Sequence, residues 1–275
     1  FLIGATAGRT TLNGEGLQHQ DGHSHLLSST IPNCVSYDPT YSYELAVIVQ
    51  DGLRRMYKEM ESVFFYITTM NENYQQPEMP KGVEIDIVKG MYLLEDGGAG
   101  EYKLTKPLNK DARLRLLGSG TILREVRKAA EILRKEYSVA VDVWSVTSFN
   151  ELRRDALAVS RENMLCPDKK PKLPFVTEKL AKQKGPIIAA TDYMKAYSDQ
   201  IREFVPDSYR VLGTDGFGRS DSRERLRHFF EVDSKFVVLA ALTDLKELGL
   251  VDPKAILAHM KKTGIKRAKA NPLHQ

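Results

Sequence analysis

Cysteine and long apolar runs are both scarce in this sequence of 275 residues. Its two cysteines, Cys34 and Cys166, belong to no CxxC or HxxxH spacing. This argues against a disulfide framework and a cysteine-based zinc site, and it favours a reducing compartment. Apolar runs such as FVVLAAL at residues 236–242 are far shorter than the roughly 20 residues that a membrane-spanning helix needs. The sequence therefore predicts no membrane partner.

A strong charge imbalance is also absent. The chain has 40 basic and 36 acidic residues, for a net charge of +4. Acids and bases alternate closely, as in EILRKEY and RSDSRERLR, which is typical of solvated helical faces. No basic stripe carries regularly spaced aromatic residues, so nucleic acid is not an expected partner. With 42% apolar residues, the chain has enough material for two domains with ordinary cores.

The segment from Gly8 to His25, GRTTLNGEGLQHQDGHSH, has an unusual composition. It contains His19, His23 and His25, three of the six histidines, and almost no apolar side chain that a core could use. Histidine titrates near neutral pH, and the glycines at positions 8, 14, 16 and 22 permit close backbone approach to a ligand. A surface loop and an adventitious metal site remain alternatives to a loop held for chemistry. His23 and His25 would share one face of an extended segment, unless a turn at residues 22–24 separates them.

Strand-like and helix-like runs alternate along the chain, which predicts an α/β fold with parallel sheets covered by helices. In the first region, a short strand is expected at residues 33–37. Asp38 as N-cap and Pro39 as first helical residue then predict a helix that continues to about Lys58. A buried strand is expected next, at residues 63–68.

The loop after that strand, residues 69–74, would leave its carboxyl end. In open α/β sheets, ligands bind at this edge. Asn71, Glu72 and Asn73 lie in the loop and are therefore candidates for contact with a substrate or with a catalytic loop. Asn-rich turns also occur without function, so a purely structural turn is the alternative.

A change of composition separates two predicted domains. Pro, Gly and acidic residues in QPEMPKG and EDGGAGEYKLTKP predict a linker at residues 81–107, between a first domain at 1–80 and a second at 108–275. Within the linker, residues 85–94 fit a short helix or a strand equally well.

The second domain repeats the alternation of strands and helices. A strand at 114–117 leads into Gly118-Ser119-Gly120 and a helix, and a turn with so few glycines and no lysine is a weak phosphate-binding signal. Further elements are predicted as strands at 139–146, 186–190 and 209–212, an amphipathic helix at 193–205, and helices capped by Ser148, Asp233 and Asp252.

The loop GTDGFGRSDSR at residues 213–223 precedes another predicted helix. Asp221 and Glu224 have the spacing of a capping box. Arg219 and Arg223 are not explained by capping, and planar guanidinium groups suit carboxylate pairing at an interface or contact with phosphate. Arg219, Asp221 and Arg223 are accordingly predicted as interface residues.

Several of these segments resemble one known family. GRTTLNGEGLQHQDGHSH, TIPNCVSYDPTYSYELAVIVQDGLRRMY, FFYITTMNENY and GTDGFGRSDSRERLRHFFEVD are similar to the homodimeric type of pyruvate dehydrogenase, in the thiamine diphosphate-dependent, transketolase-like superfamily. The resemblance covers essentially the whole chain. It implies the remainder of a pyrimidine-binding domain, followed by a transketolase C-terminal-like α/β domain with a mostly parallel sheet.

The resemblance also implies catalytic residues. QDGHSH takes the place of an active-site loop with the pattern D-G-x-[ST]-H, whose histidine contacts the substrate or its adduct with the cofactor. This assigns the role to His25, with His23 second and His19 third. Gln20 stands where the transketolase pattern has a glutamate, so no proton relay is expected through that position.

The implied activity is decarboxylation of pyruvate, followed by reductive acetylation of the lipoyl group on a dihydrolipoamide acetyltransferase. The implied enzyme is a cytoplasmic homodimer. Thiamine diphosphate and magnesium are expected to be held mainly by residues outside this chain, because no GDG-type motif precedes Phe1. The chain is thus expected to be a C-terminal part that is inactive alone.

Two other functions are compatible with the sequence. The chain could serve as a dimerisation or assembly module that contributes an interface and no chemistry. It could also belong to a transketolase-like enzyme acting on sugar phosphates. The second is less favoured, because Asn71, Glu72 and Asn73 stand where a phosphate-binding Arg or His would be needed.

Overall fold

The first region forms a small parallel sheet flanked by helices. The structure is a computed structural model that describes residues 2–6, 8–12, 17–97 and 109–275. The elements of the first region are β1 (Leu2–Thr6), α1 (Ser24–Ser29), β2 (Cys34–Tyr37), α2 (Ser42–Leu53, continued by a π-helical turn at Arg54–Lys58) and β3 (Phe64–Thr69). The strand order is β1-β3-β2, and both pairs are parallel.

The second region forms a larger, mostly parallel sheet. Its elements are α3 (Glu84–Lys89), β4 (Met91–Glu95), β5 (Asn109–Gly118), α4 (Ile122–Tyr137), β6 (Val139–Val146), α5 (Phe149–Leu165), α6 (Phe175–Leu180), β7 (Ile187–Ala190), α7 (Lys195–Asp199), β8 (Tyr209–Leu212), α8 (Arg223–Phe229), α9 (Ser234–Glu247) and α10 (Pro253–Thr263). The order is β4-β6-β5-β7-β8, with only β4 antiparallel to its neighbour among the described strands. This confirms the predicted fold class.

Helical spacing of apolar residues explains how α4 covers the second sheet. Val126, Ala129, Ala130 and Leu133 are fully buried and belong to one core cluster with residues of β5 and β6. Every residue of β6 is buried, as expected for an inner strand of a parallel sheet. The C-terminal half of the chain therefore has a continuous apolar core.

The predicted start of the first long helix is wrong. The helix begins at Ser42 and not at Pro39, and Asp38 does not cap it. Instead, the Glu44 carboxylate accepts hydrogen bonds from the backbone N–H groups of Thr40 and Tyr41, at 2.5 and 3.0 Å. The Asp38 N–H donates to the carbonyl of Thr147 at 2.8 Å, which keeps Asp38 outside the helix.

The predicted linker contains regular structure. Residues 85–94 were compatible with either a helix or a strand, and they form parts of both, in α3 and then β4. β4 pairs with β6 and so extends the second sheet. Residues 98–107 of the linker lie outside the described residues. We retain the division at 1–80, 81–107 and 108–275 as a proposal.

Two further local predictions need correction. The helix predicted at residues 193–205 is limited to α7 and a 3₁₀ turn at Arg202–Phe204. The Gln200 side chain donates to the Tyr197 carbonyl at 2.8 Å and occupies an acceptor that a longer helix would use. The N-cap of α8 is Ser222 rather than Asp221, since the Ser222 hydroxyl accepts from the Arg225 N–H.

The other predicted caps are confirmed. Ser148 accepts from the N–H of Glu151, Asp233 from that of Phe236, and Asp252 from that of Lys254. Across the described ranges, no helix combines the length and the apolarity that crossing a bilayer requires.

Candidate active site

Loops from both sheets meet at the junction between them. Residues 8–12 follow β1, residues 70–74 follow β3, residues 191–193 follow β7, and residues 213–222 follow β8. Each loop leaves the carboxyl end of a parallel strand, which is the edge where open α/β sheets bind ligands. The junction therefore gathers most of the residues that the sequence singled out.

Asp192 joins the segment from Gly8 to His25, here called the histidine segment, to the second sheet. Its carboxylate accepts hydrogen bonds from the Thr10 and Thr11 hydroxyls, each at 2.7 Å, and from the Thr10 N–H at 3.1 Å. Burial raises the pKa of Asp192 to about 6, although the Arg227 charge and the threonine hydrogen bonds act in the opposite direction. Gly8 has φ of +88°, and a Cβ there would lie 2.0 Å from Asp192 Oδ2. The backbone of Gly8 thus closely approaches the Asp192 side chain. Gly14 and Gly16 lie outside the described residues.

His25 is completely buried at this junction. Its ring stacks on Tyr197, with centroids 4.7 Å apart, and makes edge contacts with Tyr193 at 4.6 Å and Tyr66 at 5.6 Å. Its Nε2 lies 3.0 Å from Thr68 Oγ1. Burial lowers the pKa of His25 to about 3, so the imidazole is neutral at physiological pH.

His23 and His19 do not share the environment of His25. A bend at residues 22–23 precedes α1, with His23 as its exposed N-cap residue. His23 Nε2 lies 3.2 Å from Arg9 Nη2, and the Asp21 carboxylate accepts from the His23 N–H at 2.9 Å. His19 is exposed in a 3₁₀ turn. The turn separates His23 from His25, so the three side chains do not converge on one pocket.

Glu72 lies among three arginines. Arg227 forms a two-pronged ion pair with its carboxylate, Arg124 donates to Oε1 at 2.5 Å, and Arg223 Nε lies 3.9 Å from Oε2. Burial opposes the charged form, but the hydrogen bonds and charges of Arg227 and Arg124 prevail and lower the pKa of Glu72. Glu72 therefore links the first sheet to α4 and α8.

The remaining candidates of that loop lie nearer the surface. Asn71 Oδ1 accepts a hydrogen bond from Arg223 Nη2 at 3.1 Å, and Asn73 is exposed. Arg223 also donates from Nε to the Thr11 carbonyl at 2.7 Å. The structure thus brings Asn71, Glu72 and Arg223 together beside the histidine segment.

Arg219 reaches the histidine segment through its backbone. The Gln20 amide accepts from the Arg219 N–H at 2.6 Å and donates to the Arg219 carbonyl, and the Arg219 guanidinium lies 4.4 Å over the Phe229 ring. Asp221 is exposed and accepts from the Ser222 N–H at 2.8 Å. Gln20 therefore ties the two loops together.

Several residues of the junction were not named as candidate site residues from the sequence. They are Arg9, Thr10, Thr11, Asp38, Thr68, Asp192 and Arg227. Arg9 is buried, and it donates through its backbone N–H to the Asp192 carbonyl and through its side chain to the Gly216 carbonyl. The available signal was the position of Thr68 and Asp192 at the carboxyl ends of β3 and β7, since polar residues there face the ligand-binding edge.

The described residues offer no metal centre, because they contain no group of three His, Cys, Asp or Glu side chains arranged to hold an ion.

The Gly118-Ser119-Gly120 turn packs against the first region. Ser119 Oγ lies 3.0 Å from Thr191 Oγ1, and the Thr40 hydroxyl donates to the Gly120 carbonyl at 2.7 Å.

Two family models match the chain. The pyruvate dehydrogenase E1 component middle domain matches residues 1–77, and the transketolase-like TK C-terminal domain matches residues 100–233. The chain is 60% identical to the pyruvate dehydrogenase E1 component of Pseudomonas aeruginosa and 55% identical to that of Escherichia coli, over 99% of its own length in both cases. It spans about 30% of the length of each of these curated relatives.

A solved structure supports the fold independently. Transketolase from Campylobacter jejuni matches with a TM-score of 0.58 and 17% sequence identity, over 88% of this chain and 31% of that one. At this level of identity the similarity shows the fold alone.

Proposed function

Because the chain belongs to the pyruvate dehydrogenase E1 family, we propose that it contributes part of the site at which such a component decarboxylates pyruvate and acetylates a lipoyl group. The lipoyl group would belong to a dihydrolipoamide acetyltransferase, and the working enzyme would be a cytoplasmic homodimer. The observation that carries this proposal is 60% identity over 99% of the chain. Since the chain spans 30% of that relative, we expect it to be inactive alone.

Family membership implies thiamine diphosphate, which supplies an electron sink for the electron pair left when carbon dioxide departs. The described residues contain no group of three His, Cys, Asp or Glu side chains that could hold a metal ion. We therefore assign neither magnesium nor the diphosphate group to residues of this chain, and we derive no step through them.

His25 is the side chain that we assign to contact with the reacting groups. It is neutral, because burial lowers its pKa to about 3, and a neutral imidazole can accept a hydrogen bond on one ring nitrogen and donate on the other. Its ring has no exposed surface in the structure. A ligand therefore reaches it only when side chains that enclose the ring, among them Tyr66, Tyr193 and Tyr197, change position.

The remaining candidates hold the loops that carry His25. Glu72 and Arg223 connect residues 70–74 to α8, while Gln20 connects the histidine segment to residues 213–222. His23 Nε2 lies 3.2 Å from Arg9 Nη2, and His23 occupies the N-cap position of α1 without a capping hydrogen bond from its side chain. In this proposal these residues order the site, and His25 alone touches the reacting groups.

A chimera with the Pseudomonas aeruginosa relative tests the proposal. The chain replaces the matching 30% of that protein, and carbon dioxide release from pyruvate is measured with thiamine diphosphate and magnesium. We expect release by the chimera and none by the isolated chain of 31.0 kDa. In the chimera, His25→Ala should lower release at least about tenfold, the size of one hydrogen-bonded catalytic contact.

His274→Ala is the matched control, since His274 is exposed near the C-terminus, and it should leave release unchanged. Unchanged release in His25→Ala would contradict the assignment of His25. A folded, dimeric chimera without activity would favour an assembly module, and transfer to an aldose instead of a lipoyl domain would favour a transketolase-like enzyme.

A further inference from the structure

Protein groups hold both the backbone and the ring of His25 in the absence of a ligand. Its backbone carbonyl accepts from the Asn150 side chain and from the Ser28 hydroxyl, each at 2.8 Å. Its ring is enclosed by Tyr66, Tyr193 and Tyr197. The ring can therefore exchange hydrogen bonds only with the few polar atoms inside this enclosure.

Those polar atoms form a chain from His25 to Asp38. His25 Nε2 lies 3.0 Å from Thr68 Oγ1, and the Thr68 hydroxyl lies 2.8 Å from Asp38 Oδ1 and 3.2 Å from the Tyr37 carbonyl oxygen. His25, Thr68 and Asp38 are all buried, at 2% exposure or less. No competition from bulk water is expected for these bonds.

The chain fixes the position of the imidazole proton. A hydroxyl has one proton to donate, and the Tyr37 carbonyl is an acceptor only. Asp38 is also an acceptor only while it is ionised, above the pKa of about 7 to which burial raises it. In that state the Thr68 proton is directed toward Asp38 or Tyr37, which leaves a lone pair of Thr68 facing His25. His25 Nε2 must then carry the proton, and Nδ1 must carry a lone pair.

The other ring nitrogen has no partner among the described residues. His25 Nδ1 is buried and makes no hydrogen bond there. A buried acceptor without a donor costs on the order of 1–3 kcal/mol, so a ligand that donates a hydrogen bond to this atom would recover that free energy. The free position is an acceptor, which can bind a hydroxyl or another donor but cannot bind a carboxylate.

We propose that Thr68 and Asp38 are positioning residues that hold His25 in the Nε2-protonated tautomer and leave Nδ1 as an acceptor for a hydrogen-bond donor. This inference rests on the proposed function in one respect, namely that the donor belongs to a reacting group. It restricts the role that His25 can have. In this tautomer, Nδ1 can accept a proton or a hydrogen bond but cannot donate one.

The tautomer can be measured directly on the full chain without cofactor or substrate. Histidine labelled with ¹⁵N in the ring is incorporated, and long-range ¹H–¹⁵N correlation spectra identify the protonated nitrogen of each of the six histidines. His25→Gln assigns the His25 signals. At about pH 8.5, where Asp38 is ionised, we expect the proton on Nε2 and an unprotonated Nδ1. A proton on Nδ1 in the unaltered chain overturns the proposal.

Substitutions then test the cause. Thr68→Val removes the hydroxyl and keeps the shape, so the signals should shift toward a mixture of both tautomers, and Thr68→Ser should restore the Nε2-protonated form. Thr177→Val is the matched control, because the Thr177 hydroxyl also donates to a backbone carbonyl, that of Phe204 at 2.6 Å, and Thr177 belongs to neither end of the His25–Thr68–Asp38 chain. An unshifted tautomer in Thr68→Val would show that Thr68 does not set it.

This test is independent of turnover. An inactive chimera with an Nε2-protonated His25 would refute the proposed function and leave the tautomer assignment standing. An active chimera with an Nδ1-protonated His25 would refute the tautomer assignment and leave the proposed function standing. In an active chimera, Thr68→Val should lower kcat per folded molecule, whereas a simple loss of folded protein would lower the active fraction and leave kcat per folded molecule unchanged.

Discussion

Two buried regions of this molecule are held by different kinds of interaction. Between β5, β6 and α4, the enclosed side chains are mainly aliphatic, as at Leu116 and Val143. At the junction of the two sheets, the enclosed groups include Asp38, Asp192 and Arg227. Apolar burial tolerates many sequences of suitable volume, whereas buried charges depend on particular partners. The comparison indicates that the core stabilises the second domain and that the junction specifies how the loops meet.

The largest expected effect lies in the apolar core. Leu116→Ala removes a fully buried side chain of β5 and should lower the free energy of unfolding by about 3 kcal/mol through lost burial and a residual cavity. Urea denaturation at two salt concentrations measures it, and the loss should be independent of salt. Leu157→Ala on the exposed face of α5 is the control, with less than about 1 kcal/mol expected. Equal losses would contradict the assignment of the core.

Glu72 tests the junction with a slightly smaller expected effect. Glu72→Ala removes the carboxylate that hydrogen-bonds the buried Arg227 and leaves it Glu125, at 3.8 Å, as its remaining ion-pair partner among the described residues. It should cost about 2–3 kcal/mol, since breaking a buried ion pair is strongly unfavourable. The same denaturation experiment applies. Glu131→Ala removes half of the exposed Glu131–Lys135 pair and should cost no more than about 0.5 kcal/mol. Similar values for the two variants would mean that the junction pair is no stronger than a surface pair.

The pH dependence of stability should separate the two regions further. Burial raises the pKa of Asp38 to about 7, so its contribution is present below its ordinary pKa of 3.8 and is lost as the pH rises toward 7. Burial lowers the pKa of His25 to about 3, so its contribution is present above the ordinary pKa of 6.5 and is lost as the pH falls toward 3. Between about pH 4 and 6.5 the two contributions oppose each other.

Removing either group should make the pH dependence that comes from the other group measurable. Relative to the unaltered chain, Asp38→Asn should lose stability as the pH is lowered from 6.5 to 4, and His25→Gln should gain it, each by about 1 kcal/mol or more. Urea midpoints at four pH values measure both slopes. Leu116→Ala provides the control and should run parallel to the unaltered chain. Parallel curves for all three variants would show that the junction does not titrate in this window.

The smallest expected effect concerns the contact between two loops. A Cβ at Gly218 would lie 2.6 Å from Gln20 Oε1, so Gly218→Ala should cost about 1 kcal/mol by displacing the Gln20 amide from Arg219. In a Gln20→Ala background the same substitution should cost much less. A double-mutant cycle measures this coupling, and strict additivity would argue against the contact.

Much of the scaffold could be predicted because its causes are local. The strands at residues 139–146 and 209–212, the caps at Ser148, Asp233 and Asp252, and the alternation that leads to parallel sheets all follow from neighbouring residues. Asp38 followed by Pro39 is an equally local signal, and its prediction is wrong. Tertiary contacts of Asp38 with Thr68 and Thr147 outweighed its capping preference.

The candidate site was predicted only in part. The position of residues 69–74 at the carboxyl end of β3 and the unusual composition of residues 8–25 indicated two loops that the structure brings together. Which histidine would be enclosed was not predictable from residue types, because His23 and His25 differ only in the side of one turn on which they lie. The arginine partners of Glu72 were likewise not indicated by any local pattern.

The sequence by itself determined the class of fold and the helix caps at Ser148, Asp233 and Asp252, and it singled out loops that meet at the junction. The tertiary structure decided the pairings within those loops: Thr10 with Asp192, Glu72 with Arg227, and His25 with Thr68. These partners are 182, 155 and 43 residues apart along the chain. Local preferences act over a few residues, whereas hydrogen bonds and ion pairs across such separations form only after both sheets have placed their loops at a common edge.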